Sequence, residues 1–220
     1  MEAERLNKLL TVSVDFDIKE SFVKAWELFK SQALFHVMYM LLILSIQGLV
    51  VIYVQEYMII YSAFLAPALY SGFFLVANKI SRGEPVIYPD YFGGFRFWLP
   101  LVGISLLSQV LVALGLFALV IPGVYLAVGY LFAMLMGIFG GLDVWSAMEW
   151  SRKLITRNWW QFFALLMILI AMNLLGLLLA GIGLLVSFPM TFLVLYVIFE
   201  DMTQEVFSEE GAGITHGPEA

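Results

Sequence analysis

The chain has 220 residues, 62% of them hydrophobic and 13% charged, with a net charge of −6 and a mean hydropathy of +0.95. Soluble domains are roughly 45–50% apolar and about 25% charged, so lipid must solvate most of this surface; a soluble enzyme, a nucleic-acid binder and a disordered chain are excluded. No cysteine is present, which also excludes disulfides, thiolate metal sites and a cysteine nucleophile.

At the N-terminus, residues 1–32 mix basic and acidic side chains without an apolar run, so no cleavable leader is expected and the first helix should act as an uncleaved anchor. Residues 8–14 alternate weakly and read as an extended arm. From 17 to 32, Ile18, Phe22, Trp26 and Phe29 recur at helical spacing, while Lys19, Glu20, Lys24, Glu27 and Lys30 take the other faces. Asp17 can cap the start, with Glu20 at the reciprocal position. This predicts an interfacial helix over 17–32, its apolar stripe toward lipid or the bundle and Lys19 and Lys24 in water.

The runs 97–142 and 158–199 carry no charge, and 33–78 carries only Glu56. A spanning helix needs about 20 apolar residues, so each run holds two. Gln55-Glu56 divides the first and Ala180-Gly-Ile-Gly183 the last. The middle run divides at Leu119-Val-Ile-Pro-Gly123, where proline cannot continue a helix. The prediction is an all-α membrane protein with six transmembrane helices in three hairpins, at about 33–53, 58–79, 98–120, 122–142, 159–180 and 184–201. A β-barrel would need alternating segments, and none are seen. Pro67, Pro122 and Pro189 fall near the start of each second helix; Pro67 sits deeper and should kink its helix. Residues 202–220 read as an acidic, largely disordered cytoplasmic tail.

All eleven Lys and Arg residues fall in 1–32, 79–96 and 143–157, and all six tryptophans lie in or beside the same segments. Basic loops stay in the cytoplasm and indoles sit at headgroup level. Turns 54–57, 120–123 and 180–184 are therefore expected on the opposite face, with both termini cytoplasmic and the interfacial helices on the cytoplasmic side. Asp17, Ile18, Phe22, Leu28 and Phe29 align with Asp143, Val144, Met148, Leu154 and Ile155, and Pro89–Trp98 resembles a shorter version. Each unit reads as a surface helix followed by a hairpin, giving three weak repeats. In the second surface helix Ser146 and Glu149 suggest a capping box, with Trp145, Met148, Ile155 and Trp159 toward the membrane.

Gly129, Ala133, Gly137 and Gly141 recur every fourth residue. Small residues so spaced allow close backbone packing in lipid, either on a neighbouring helix of the same chain or in a dimer face. Gln47, Gln109 and Asn173 could line a polar path or hydrogen-bond between helices; Ser105 and Ser108 accompany them. His36 is expected near the cytoplasmic interface, and Glu56 in a solvated turn. Arg152, Lys153 and Arg157 are candidates for lipid-headgroup contact, because basic residues at that depth meet anionic lipid. No catalytic constellation, cofactor motif or metal-ligand spacing is present. His216 lies in the tail.

Pro122-Gly-Val-Tyr-Leu126, Trp145-Ser-Ala-Met-Glu-Trp-Ser-Arg-Lys-Leu154, Asn158-Trp-Trp-Gln-Phe-Phe163 and Gly181-Ile-Gly-Leu-Leu-Val186 resemble a broad group of uncharacterised bacterial integral-membrane proteins. That group is similar to the membrane domain beside some glycerophosphodiester phosphodiesterases. The resemblance covers about 85–201 well and the first hairpin loosely, and implies architecture only, with no catalytic residue to transfer. The expectation is a non-enzymatic inner-membrane protein with a structural, accessory or lipid-interacting role. Its partners would be membrane lipids and a protein partner or second copy, with no nucleic acid. A small transporter or channel is the alternative.

Overall fold

A computed structural model of the chain describes residues 14–179 and 181–211. The helices are α1 (Ile18–Ser31), α2 (Ala33–Tyr53), α3 (Ala66–Ser81), α4 (Trp98–Ala118), α5 (Val120–Gly129), α6 (Ala133–Phe139), α7 (Val144–Thr156), α8 (Trp159–Leu178) and α9 (Leu184–Gly211). Among the described residues there is no strand. Six segments are long and apolar enough to cross a membrane: Ala33–Tyr53, Gln55–Ser81, Tyr88–Ala118, Val120–Phe139, Trp159–Leu178 and Leu184–Gln204. The protein is an all-α, multi-helix membrane protein by length and hydropathy. Apart from Val14, the expected arm at 8–14 lies outside the described residues, as do 212–220 of the expected tail.

Asp17 caps α1 as expected, its carboxylate accepting the N–H groups of Lys19 at 2.7 Å and Glu20 at 3.2 Å. The buried face is Ser21, Ala25 and Phe29, flanked by Ile18, Phe22 and Leu28, while Trp26 is exposed. The stripe is thus rotated off the one read from spacing, because α1 packs on α9. Lys24 Nζ pairs with Asp201 at 2.9 Å across that contact and with Glu20, one turn back on α1, at 3.2 Å. The same contact explains why α9 continues past the expected end at 201. Phe199, Met202, Thr203 and Val206 are buried at helical spacing, so the apolar stripe persists beneath an acidic composition.

The discontinuity expected at Pro67 takes the form of a wide π turn at Tyr61–Leu65, after which Pro67 sits in the first turn of α3. Proline lacks an N–H and clashes with the carbonyl four residues back; a wide turn relieves both.

Tyr88–Phe97 is not a short surface helix. It forms a 3₁₀ helix that runs back along α3. Glycines permit the approach: a Cβ on Gly72 would lie 2.0 Å from the Tyr91 carbonyl oxygen, and one on Gly94 2.2 Å from that of Ala68. Trp98 Nε1 then donates to the Phe64 carbonyl at 2.7 Å. Asp90 ties the other end, accepting the Ile87 N–H at 2.8 Å and pairing with Lys79 at 2.9 Å.

The fourth span, expected unbroken over 122–142, is interrupted at Tyr130–Phe132 between α5 and α6. Ser151 of α7 fills the gap, its Oγ donating to the Gly129 carbonyl at 2.7 Å and accepting the Phe132 N–H at 3.2 Å. Backbone groups freed by a break in an apolar interior need such replacement partners. The four-residue ridge is therefore not one surface. A Cβ on Gly129 would meet Arg152 Cγ of α7 at 3.2 Å, and one on Gly137 Ile104 Cδ1 of α4 at 2.8 Å; Gly141 is a turn residue with φ +63 and open space around it. Asp143, rather than Ser146, caps α7, accepting N–H groups from Trp145 and Ser146 at 3.2 and 3.3 Å. Met148 and Ile155 face the core while Trp145 is exposed.

Candidate functional site

The charged residues of α7 do not form a free cationic patch. Arg152 is held in a two-pronged pair with Glu149, Nε to Oε2 at 2.9 Å and Nη2 to Oε1 at 2.8 Å, and its Nη1 donates to the Tyr125 hydroxyl at 3.2 Å. That hydroxyl is 2.7 Å from Thr156 Oγ1, and Trp159 Nε1 donates to the Tyr125 carbonyl at 3.4 Å. Bidentate guanidinium–carboxylate geometry is strong and directional. The Arg152 guanidinium accordingly holds the Glu149 carboxyl below its ordinary range, and Glu149 raises the Arg152 pKa in turn. Lys153 Nζ stands 3.5 Å from Glu149 and 4.7 Å from the Trp150 ring centre. Arg157 follows at the exposed end of α7. Of the three expected headgroup contacts, Arg152 is an internal latch between α7 and α5, and Lys153 and Arg157 are the cations nearer the surface.

Gln47, Gln109 and Asn173 are not brought together; they stand on α2, α4 and α8, and no hydrogen bond joins any two. Asn173 closes the α8–α9 hairpin, its Nδ2 donating to Thr191 Oγ1 at 2.7 Å and its Oδ1 accepting from Ser187 Oγ at 3.0 Å. Gly176 and Gly183 bring the two backbones together there, a Cβ on Gly183 falling 2.6 Å from Gly176 Cα. Gln109 Nε2 donates within α4 to Ser105 Oγ at 2.7 Å, and Ser108 Oγ donates to the Ile104 carbonyl. Gln47 is half-buried.

His36, in the first turn of α2, is fully buried among protein side chains, with Nδ1 hydrogen-bonded to the Tyr91 hydroxyl at 2.9 Å and its ring packed on Phe29 and Phe73. Tyr39, one turn on, places its hydroxyl 2.9 Å from the Leu69 carbonyl and 3.0 Å from that of Tyr91. This aromatic knot joins α1, α2, α3 and the 3₁₀ segment. Its sequence signal was the 36/39 spacing together with a tyrosine-rich loop, neither of which specifies the partner. Among the described residues no group of three or more metal-ligating side chains gathers.

No family model, curated protein or solved structure matches the chain. The resemblance read at Pro122–Leu126 and Trp145–Leu154 thus gains no family from these comparisons. What the fold and hydropathy define is a multi-pass membrane protein with six candidate spans.

Proposed function

We propose that this is a non-enzymatic protein of the bacterial inner membrane, both termini cytoplasmic, with a structural, accessory or lipid-interacting role. The observation that carries the reading is the pair of exposed indoles, Trp26 on α1 and Trp160 at the start of α8, beside the cations of α1 and Arg157. Amphipathic rings so placed suit the headgroup layer. The polar groups inside the spans point the same way, since Asn173 spends its hydrogen bonds on side chains of the neighbouring helix, the usual service of amides in helix packing, and Gln109 bonds Ser105 of its own helix.

Native mass spectrometry of the protein released from its own membranes tests this. Retained phospholipid, enriched in anionic species and reduced by Lys153→Gln with Arg157→Gln, is the expected result. Sealed proteoliposomes should stay tight to ions and small solutes. A protein-dependent flux lost on substitution of Gln47 or Gln109 would replace the accessory reading with the transporter.

A further inference from the structure

Contacts fix the end of the bundle to which the turn between α4 and α5 belongs. α3 and α9 run side by side in one direction: Phe73 stacks on Phe192 at 5.5 Å, Asn78 Nδ2 donates to the Tyr196 hydroxyl at 3.0 Å, and Ser81 Oγ donates to Glu200 at 2.9 Å. α1 belongs to the Ser81–Glu200 end through Lys24 and Asp201. So does the start of α8: Phe162 packs on Phe132 at 5.3 Å and Phe132 on Phe199 at 5.5 Å, while Gln161 donates to the Phe16 carbonyl just ahead of α1. Turns 54–57 and 181–183 lie at the opposite end.

α4 starts well away from the Ser81–Glu200 end. Trp98 is bonded to Phe64, about 25 Å along the helix axis from Ser81 at 1.5 Å per residue. From there α4 climbs parallel to α3. At its far end a Cβ on Gly115 would lie 2.9 Å from Gly123 Cα, and Tyr125, half a turn on, rests on Thr156 at the end of α7 and Trp159 at the start of α8. The turn at 119–121 therefore sits with α1 and the start of α8. The sequence expectation placed 120–123 with 54–57 and 180–184. The reversal comes from Tyr88–Phe97, which carries the chain back along α3 before α4 begins.

We propose that residues 117–121 form an apolar wedge in the anionic leaflet on the side that carries α1. No polar side chain occurs from 110 to 124. Phe117 is 93% and Ile121 82% exposed, with Leu119 and Val120 exposed between them. Leaving several large apolar side chains in water is unfavourable, and hydrocarbon is the solvent that fits them. Charge complementarity selects the lipid: Lys153 and Arg157 flank Thr156, which touches Tyr125, and Trp160 is 75% exposed beside them. Cations and an indole around an apolar tip match an anionic headgroup layer. The placement rests on packing alone and does not depend on the accessory role.

The chain has no cysteine, so single cysteines can be introduced directly. Val120→Cys, Arg82→Cys and Glu56→Cys, each carrying the fluorophore NBD, are compared in sealed vesicles of uniform orientation containing phosphatidylglycerol. Dithionite added on one side should abolish emission at 82 and 120 together and spare 56. Spin-labelled phosphatidylglycerol in that leaflet should quench the label at 120, and less so in the Lys153→Gln, Arg157→Gln background. A label at 120 that bleaches with 56 would overturn the placement. One that bleaches with 82 but shows water-like emission, unquenched by lipid, would overturn the wedge and leave a protein surface.

Discussion

The hydroxyl of Ser151 donates to the carbonyl of Gly129 at 2.7 Å, and this bond fastens an amphipathic helix into the gap of a broken span. The same oxygen accepts the Phe132 N–H, so one side chain serves both sides of the break. Ser151→Ala should leave a buried carbonyl and a buried N–H unpaired, at a cost of about 1–3 kcal/mol. Thermal unfolding in detergent checks it; an unchanged transition would mean that water replaces the hydroxyl.

Gly94→Ala should be more damaging than Gly141→Ala. The new methyl at 94 would fall 2.0 Å from Ser71 Oγ and 2.2 Å from the Ala68 carbonyl, and the second of these is backbone with no rotamer to yield. Overpacking of this kind costs about 1–3 kcal/mol or more. At 141 the space is open and only the positive φ of 63° is strained, worth about 1–2 kcal/mol. Equal losses in paired melting curves would refute the close approach of the 3₁₀ segment to α3.

Asn173→Leu should weaken the last hairpin by about 1–2 kcal/mol and leave proteoliposome leak unchanged. The amide bonds Thr191 and Ser187 across the two helices, so its loss is felt in stability. A variant of unaltered stability that changes ion leak would show that Asn173 lines a path.

Acid should loosen α7 from α5. Glu149 is held below its ordinary carboxylate pKa of 4.5, first by its hydrogen bonds from Arg152 and next by the nearby positive charge. A depressed folded pKa contributes stability that is present above the ordinary value and is lost as pH falls through the lowered one. Both side chains are close to a third exposed, so the contribution is about 1 kcal/mol or less after solvent screening. Protection from hydrogen exchange across 144–156, taken relative to the intrinsic amide rate at each pH, should fall below pH 4.5 in the natural chain, and Glu149→Gln should flatten that dependence. An identical acid response in the variant would assign it elsewhere.

Charge-free runs and their proline and glycine breaks made the spans legible, because lipid tolerates so few alternatives to an apolar helix. Two kinds of feature stayed hidden. One is a short apolar stripe under a contrary composition, as at Met202 and Val206, where acids on the other faces made a helical extension look like a tail. The other is any contact made at long range. Nothing near Arg152 announces Tyr125 as its partner, nothing near His36 announces Tyr91, and the glycines at 72 and 94 look like ordinary small residues until the two backbones are laid together. The candidate headgroup residues were legible as cations; which of them is already occupied depends on the fold.

Arg96 lies between Gly94, set against Ala68, and Trp98, bonded to Phe64, and it is exposed. Its charge acts on Asp90, which pairs with Lys79 at 2.9 Å, so the guanidinium reaches back along the 3₁₀ segment toward the Ser81 end. Long basic side chains snorkel in this way, leaving an apolar stem against hydrocarbon and carrying the charge toward the headgroups. The flank beside the 3₁₀ segment should therefore offer lipid a cation without requiring the bilayer to thin.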